Sequence, residues 1–381
     1  FFIVLLILSN FVFSWFFKFT LSENLAWMLI WFGIYEFLAF LRNKNQFKLS
    51  AVLLSFGLLI FVRPEALFFL AIILTISYFY LRKKIFLDIN LINWGILAVG
   101  TVIYVFSLYV NQSYYLLLGK NLIKTIAGIG IPFGSKLSEG EFLHVIKILY
   151  AYSLISLIIL GIIGILFTYR SKIKYLSIPF LILSPTFLYL INPNISDDHP
   201  WMLRRFAFAV IPVCIFYAVW FLDYFFLKKS YFYLIVIIIL VCNLIITVQY
   251  LSFVPHKNLL SQTDELSWNF DDNDMILVDR LATGDNWSMI SGPLDFLYGK
   301  KAVYFFNPAD LDKIDMTKFN SVYFIIPDQN LDFYAKSGML DKLKPFKDYR
   351  LKNQFLQGIT DSKIPVKQKV VAYGKIYRLE K

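Results

Sequence analysis

Between Asn192 and Phe206 the chain reads Asn-Pro-Asn-Ile-Ser-Asp-Asp-His-Pro-Trp-Met-Leu-Arg-Arg-Phe. Two carboxylates, an imidazole, an indole and two guanidiniums fall within ten residues. The adjacent Arg204 and Arg205 suit a phosphate or pyrophosphate, because a guanidinium offers planar, bidentate donors and keeps its charge. Trp201 suits a sugar face or a membrane interface. Asp197, Asp198 and His199 could move protons. Each has a plainer reading beside it. Asp198 or His199 serves equally as a helix cap, Trp201 as a member of an aromatic belt, and an arginine at a helix end can extend to lipid headgroups.

Arg63 makes a second case. It is flanked by Phe61, Val62 and Phe68-Phe69-Leu70, and an arginine drawn to mid-bilayer costs about 3 kcal/mol on insertion scales. Such a charge needs a partner, and the candidates are Glu65 or an anionic ligand. Glu23 closes the run Thr20-Leu21-Ser22-Glu23, which reads as a capping box at a helix start and secondarily as a candidate acid.

The elements that must position these residues are apolar. About nine segments long enough to cross a bilayer fill residues 1–255, among them 91–110, 144–168, 175–191, 206–227 and 231–254; roughly 20 apolar residues span the hydrocarbon core. Dense basic clusters separate them at Arg42/Lys44/Lys48, Arg82/Lys83/Lys84, Arg170/Lys172/Lys174 and Lys228/Lys229. Short Lys/Arg-rich loops stay cytoplasmic. This places 20–24, 63–65, 111–143, 192–205 and everything after 254 on the outer face. Arg63, Arg204 and Arg205 then lie on the side that the charge bias disfavours, which argues for a shared anionic partner. Arg63-Pro64-Glu65 divides the stretch 48–84 into two helices meeting near that face, since proline suits a first helical turn and disfavours a helix running on before it.

Composition agrees with a polytopic membrane protein: 58% of residues are hydrophobic and 19% aromatic. The net charge of +11 does not point to nucleic acid. Residues 1–255 hold 19 basic and 9 acidic side chains and the remainder 18 and 17, so the surplus is a topology signal. Cys214 and Cys242 lie in apolar segments and offer no disulfide framework. The first residue is Phe1 within an apolar run, without the charged region of a signal peptide, which is the expectation for a chain cut inside a larger protein. Beyond a linker at 256–270, residues 271–381 alternate short β-type segments (275–279, 302–306, 322–326, 349–355, 370–379) with helix-like stretches (287–297, 331–343). That pattern predicts a small α/β domain with a parallel or mixed sheet. It contains no Gly-rich phosphate loop, Cys/His metal spacing or nucleophile elbow.

Three local patterns occur in order: Ser22-Glu23-Asn24-Leu25, Val62-Arg63-Pro64-Glu65-Ala66-Leu67 and His199-Pro200-Trp201-Met202-Leu203-Arg204-Arg205-Phe206. With the multi-span layout and an outer C-terminal domain, the chain resembles the polyprenyl-phosphate-dependent GT-C glycosyltransferases, which include protein O-mannosyltransferases and aminoarabinose transferases. The resemblance implies a multi-pass plasma-membrane enzyme of the cell envelope. It implies transfer of a sugar from a polyprenyl-phosphate donor to a lipid, glycan or protein acceptor on the extracytoplasmic face. Arg63, Arg204 and Arg205 become phosphate-side residues, with Glu65, His199 and Trp201 in the same substrate site. The family's catalytic acid lies in a first outer loop absent here, so the base is expected upstream of Phe1. Asp197, Asp198 and Glu23 are the candidates within the chain. A divalent cation is the cofactor left open, with no metal ligand assigned. The competing reading is a non-enzymatic transporter or lipid-handling protein with an outer recognition domain, although a transporter would place charges or broken helices near mid-membrane.

Overall fold

The computed structural model describes the chain except residues 20, 64, 82–89, 114, 118, 119, 121–138, 174, 191–197, 286, 288, 361, 362 and 381. Asp197, Thr20, Pro64, Arg82, Lys83, Lys84 and Lys174 therefore lie outside the described residues. The chain divides into two compact units: Phe1–Ser252 with Ile359–Ile364, and Phe253–Gly358 with Pro365–Lys381.

The first unit is helical, an arrangement in which each apolar segment satisfies its own backbone polar groups. Among the described residues, three helices are long and apolar enough to span a bilayer: Ser22–Asn43, Leu91–Val110 and Lys229–Leu251. Two further candidates are bent pairs, Leu143–Ala151 with Ile155–Arg170 at 112° and Trp201–Ala207 with Val210–Phe225 at 55°. The expectation of about nine spans is thus corrected to three, or five if each bent pair counts as one. The physical reason is that an apolar run need not be one helix. The run 144–168 turns at Ser153, whose φ is 58°. The run 206–227 restarts at Val210, with Pro212 tolerated in the first turn of the new helix. The first apolar run is broken at Asn10, whose side chain accepts from Val12 N–H and caps the Phe11–Phe16 helix. Gln46–Leu59 is only 14 residues long, about 21 Å at 1.5 Å per residue. Together with Ala66–Leu81, it forms the pair expected around Arg63-Pro64-Glu65.

Small and polar residues join these helices. A Cβ on Gly161 would meet Cys214 Cα at 2.5 Å, and one on Gly164 would meet the Tyr217 carbonyl oxygen at 2.4 Å. The Ile155–Phe167 and Val210–Phe225 helices therefore touch backbone to backbone, the close approach small residues permit in membranes. Asn93, fully buried on the largely exposed Leu91–Val110 helix, joins Ser50 Oγ at 2.6 Å and Gln46 Oε1 at 2.9 Å. Tyr104 donates to the Phe56 carbonyl at 2.7 Å.

The second unit carries a five-stranded sheet, order β2-β1-β3-β5-β4. Strands β1 (Met275–Asp279), β2 (Lys301–Phe305) and β3 (Val322–Pro327) are parallel; β4 (Leu343–Leu356) and β5 (Lys367–Leu379) form an antiparallel hairpin joined to β3 through β5. The sheet is mixed. Every residue of β1 and β3 is buried, as continuous apolar strands covered on both faces should be. One face holds Ile276, Val278, Ile325 and Ile376, the other Leu277, Phe324, Ile326 and Tyr377. Residues 256–270, expected as a linker, contain the Leu259–Ser267 helix, and Leu259, Leu266 and Phe270 belong to the first core. The helix-like stretch 331–343 is shorter than expected, ending at Lys336, with β4 beginning at Leu343. At the carboxyl end of β1, Asp279 accepts from Leu281 N–H, Asn330 Nδ2 and the Tyr334 hydroxyl.

Candidate functional site: an arginine and glutamate cluster

Four chain segments far apart in sequence meet at one end of the helical unit. Glu23 stands in the first turn of the Ser22–Asn43 helix. Arg63 and Glu65 lie between Gln46–Leu59 and Ala66–Leu81. Arg204 and Arg205 open the short Arg204–Ala207 helix, and Tyr189 belongs to the 3-10 turn Ser184–Leu190.

Glu23 is the hub. Its Oε1 lies 2.6 Å from Arg63 Nη2 and 3.6 Å from Arg204 Nε. Glu65 receives Arg205, Nη1 to Oε1 at 3.8 Å, and the Tyr189 hydroxyl donates to the same oxygen. Two aromatic faces complete the cradle. The Arg63 guanidinium lies 4.7 Å from the Phe208 ring centre and that of Arg205 5.6 Å from the Tyr189 ring. Three guanidiniums thus gather around the carboxylates of Glu23 and Glu65, and the Asp198 carboxylate also attracts Arg204.

This corrects two local expectations. Glu23 is not a capping-box residue, since the helix begins after Leu21 without a side-chain cap and the carboxylate turns to the arginines. Arg63 does not pair with Glu65 two residues on; it pairs with Glu23, forty residues back. The competing principle is desolvation, because a buried charge takes the partner whose geometry neutralises it most closely.

The arginines are not equivalent. The Arg63 side chain is 7% exposed and that of Glu23 4%, whereas Arg204 retains 32% and Arg205 21%. Arg63 is a fixed, buried cation. Arg204 and Arg205 keep part of their donor forks toward solvent, and the Nε of all three arginines is buried without a hydrogen bond. Buried polar atoms left unpaired cost about 1–3 kcal/mol each, so the cluster has unspent capacity for an anion with further oxygens.

Of the remaining sequence candidates, Asp198 acts electrostatically on Arg204, and His199 and Trp201 make contacts of their own. His199 is fully buried, its Nδ1 3.0 Å from the Tyr152 hydroxyl, and its backbone pairs with Ile359. Trp201 packs against Phe16 and Phe19, with ring centres 6.0 and 5.4 Å away. Asp198 accepts Met202 N–H through its backbone carbonyl. Among the described residues, no group of three or more His, Cys, Asp or Glu side chains gathers as a metal site would require. Sequence reasoning missed Tyr189 and Phe208. Both lie in apolar runs, where an aromatic residue reads as ordinary core.

Comparison of the chain with family models, with curated proteins and with solved structures gives no match.

Proposed function

We propose that this protein is a membrane glycosyltransferase of GT-C type, taking a sugar from a polyprenyl-phosphate donor and passing it to an acceptor on the extracytoplasmic face. One observation carries the reading: Arg63, Arg204 and Arg205, from distant segments, converge beside Glu23 and Glu65 with guanidinium nitrogens left without a hydrogen bond. An arginine cluster with open donors among apolar helices suits a phosphate bearing a lipid. Arg204 and Arg205 would grip the phosphate. Arg63 and Glu23 would hold Arg204 in place, and Glu65 with Tyr189 would hold Arg205. Glu23 and Glu65 are then committed to arginines and do not serve as the acceptor's base.

A second reading is favoured by that same commitment. A cluster whose two glutamates are both held by arginines suits a protein that binds lipid phosphate without turning it over. The test is displacement of a short-chain polyprenyl-phosphate sugar from the protein in nanodiscs, followed by transfer to acceptor. Arg204→Lys keeps the charge and loses the bidentate fork; affinity should fall about tenfold, the loss of roughly one charge-assisted hydrogen bond, while the thermal midpoint holds. Unchanged affinity in Arg204→Lys and Arg205→Lys sinks both readings. Binding without transfer selects the second.

A further inference from the structure

The second unit is nearly neutral, yet its charge is segregated. Strands β4 and β5 hold eight Lys and Arg against the single acid Asp348, while the rest of residues 256–381 hold ten basic and sixteen acidic side chains. The register concentrates part of this charge on one face. Directly opposed pairs are Asp348 with Lys375, Arg350 with Tyr373, Lys352 with Val371 and Gln354 with Lys369. Opposed residues share a face and alternate with the next pair. Leu351 and Ala372, between two of these pairs, are buried, whereas Arg350, Lys352, Lys369, Val371, Tyr373 and Lys375 are exposed.

Strand β3 pairs with β5 only from Gly374 to Arg378, so this half of the hairpin extends past its neighbour. Its inner face is covered, with Tyr349 and Leu351 in the core beside Leu259 and Leu266. Its free edge is also occupied, because Gln262 bonds both backbone groups of Lys352 at 2.7 and 3.0 Å. What stays open is the outward face. On it the Arg350 guanidinium lies 5.3 Å from the Tyr373 ring, and Asp348 approaches Lys375 at 3.9 Å.

We propose that this outward face of the β4–β5 hairpin docks on an anionic lipid surface. Cationic arrays with long aliphatic stems, an aromatic ring and a β-branched apolar residue match the headgroup zone, where charges meet phosphates and stems meet acyl chains. A bilayer is always within reach, since the Lys229–Leu251 helix is followed almost at once by this unit, which begins at Phe253. The docking is independent of whether the arginine cluster transfers sugar.

The test uses the full chain with a fluorophore on Val371→Cys in a Cys242→Ala background, Cys214 being buried. The protein is placed in nanodiscs of phosphatidylcholine with or without phosphatidylglycerol, both containing a headgroup-depth quencher. Docking predicts quenching that depends on phosphatidylglycerol and fades with salt. Each basic residue near an anionic surface strengthens association about fivefold, so Lys352→Glu with Lys369→Glu should weaken it by more than about tenfold. Lys352→Gln with Lys369→Gln should give an intermediate loss, and Lys313→Glu with Lys336→Glu, away from the ribbon, should change nothing. Quenching that is absent, or equal in both lipids, overturns the proposal. So does a label that ignores lipid charge but is shielded by a soluble acidic polysaccharide, which would make the ribbon a glycan-reading face.

Discussion

Glu23 shows how one carboxylate decides the character of a site. It neutralises Arg63 closely and Arg204 more loosely, so its replacement exposes two cations to an apolar setting. Breaking a buried ion pair from one side costs about 3–5 kcal/mol, whereas removing both partners can be nearly neutral. Glu23→Gln should therefore lower the thermal midpoint of the protein in nanodiscs markedly. A Glu23→Leu/Arg63→Leu double variant should recover most of that loss. The double variant also separates structure from function: if it regains stability yet binds polyprenyl-phosphate sugar as well as the parent, the pair is purely structural. The prediction is that stability returns and binding does not, because Arg204 loses the carboxylate beside it. His199, by contrast, is buried against Tyr152, and its replacement should act on the loop before donor binding is measured at all.

At the scale of elements, glycines and a single asparagine set the helix contacts. Gly161→Ala would push a methyl group into the Cys214 backbone, and overpacking of this kind costs about 1–3 kcal/mol. Gly95 has open space around its missing Cβ, so Gly95→Ala should be neutral or stabilising by up to about 1 kcal/mol through helix propensity. Thermal unfolding in one detergent compares the two, and equal effects would refute the backbone contact. Asn93→Leu should cost about 0.6–2 kcal/mol, the range for hydrogen bonds between membrane helices. In the sheet unit, burial and then the neighbouring Asp279 raise the Tyr334 hydroxyl well above the ordinary tyrosine range. The folded form thus holds this proton more tightly than the unfolded form does. Its contribution is complete below the ordinary tyrosine pKa of about 10 and is lost as pH rises above it. Stability of this unit, followed by near-ultraviolet circular dichroism, should fall above that pH, and the fall should be smaller in Tyr334→Phe.

For the whole molecule, the segments that the basic loops assign to one side can be compared with the contacts they make. Glu23, Arg63, Arg204 and Arg205, all from segments that the charge bias places outside, meet at one end of the helices. At the other, Lys48 pairs with Glu36 at 2.8 Å and Asn93 joins Gln46; Lys48 belongs to a cluster assigned to the cytoplasm. Orientation itself rests on the Lys/Arg bias. Single cysteines at Lys228, Arg170 and Arg42 should react only from inside, and one at Asn307 only from outside. Labelling of Lys228→Cys from outside with protection of Asn307→Cys would invert the arrangement and move the arginine cluster to the cytoplasmic face.

Some of this was legible in the residues alone, and for a physical reason. Apolar composition, alternating basic loops and the short β-type segments after residue 270 are local properties of the chain. They determined a helical unit with helices apolar enough to span a membrane, followed by a small mixed-sheet unit, and they singled out Arg63, Glu65, Arg204 and Arg205. What only the tertiary structure decided depends on bends and on distant partners. Hydropathy registers that 144–168 is apolar but not that Ser153 turns it, so spans were counted too generously. Arg63 offered Glu65 as the nearest carboxylate in sequence, yet Glu23 holds it, because burial rewards the closest neutralising geometry and not the shortest separation. Tyr189 and Phe208 carried no signal at all, since in an apolar run an aromatic ring that braces a guanidinium is spelled like one that fills a core.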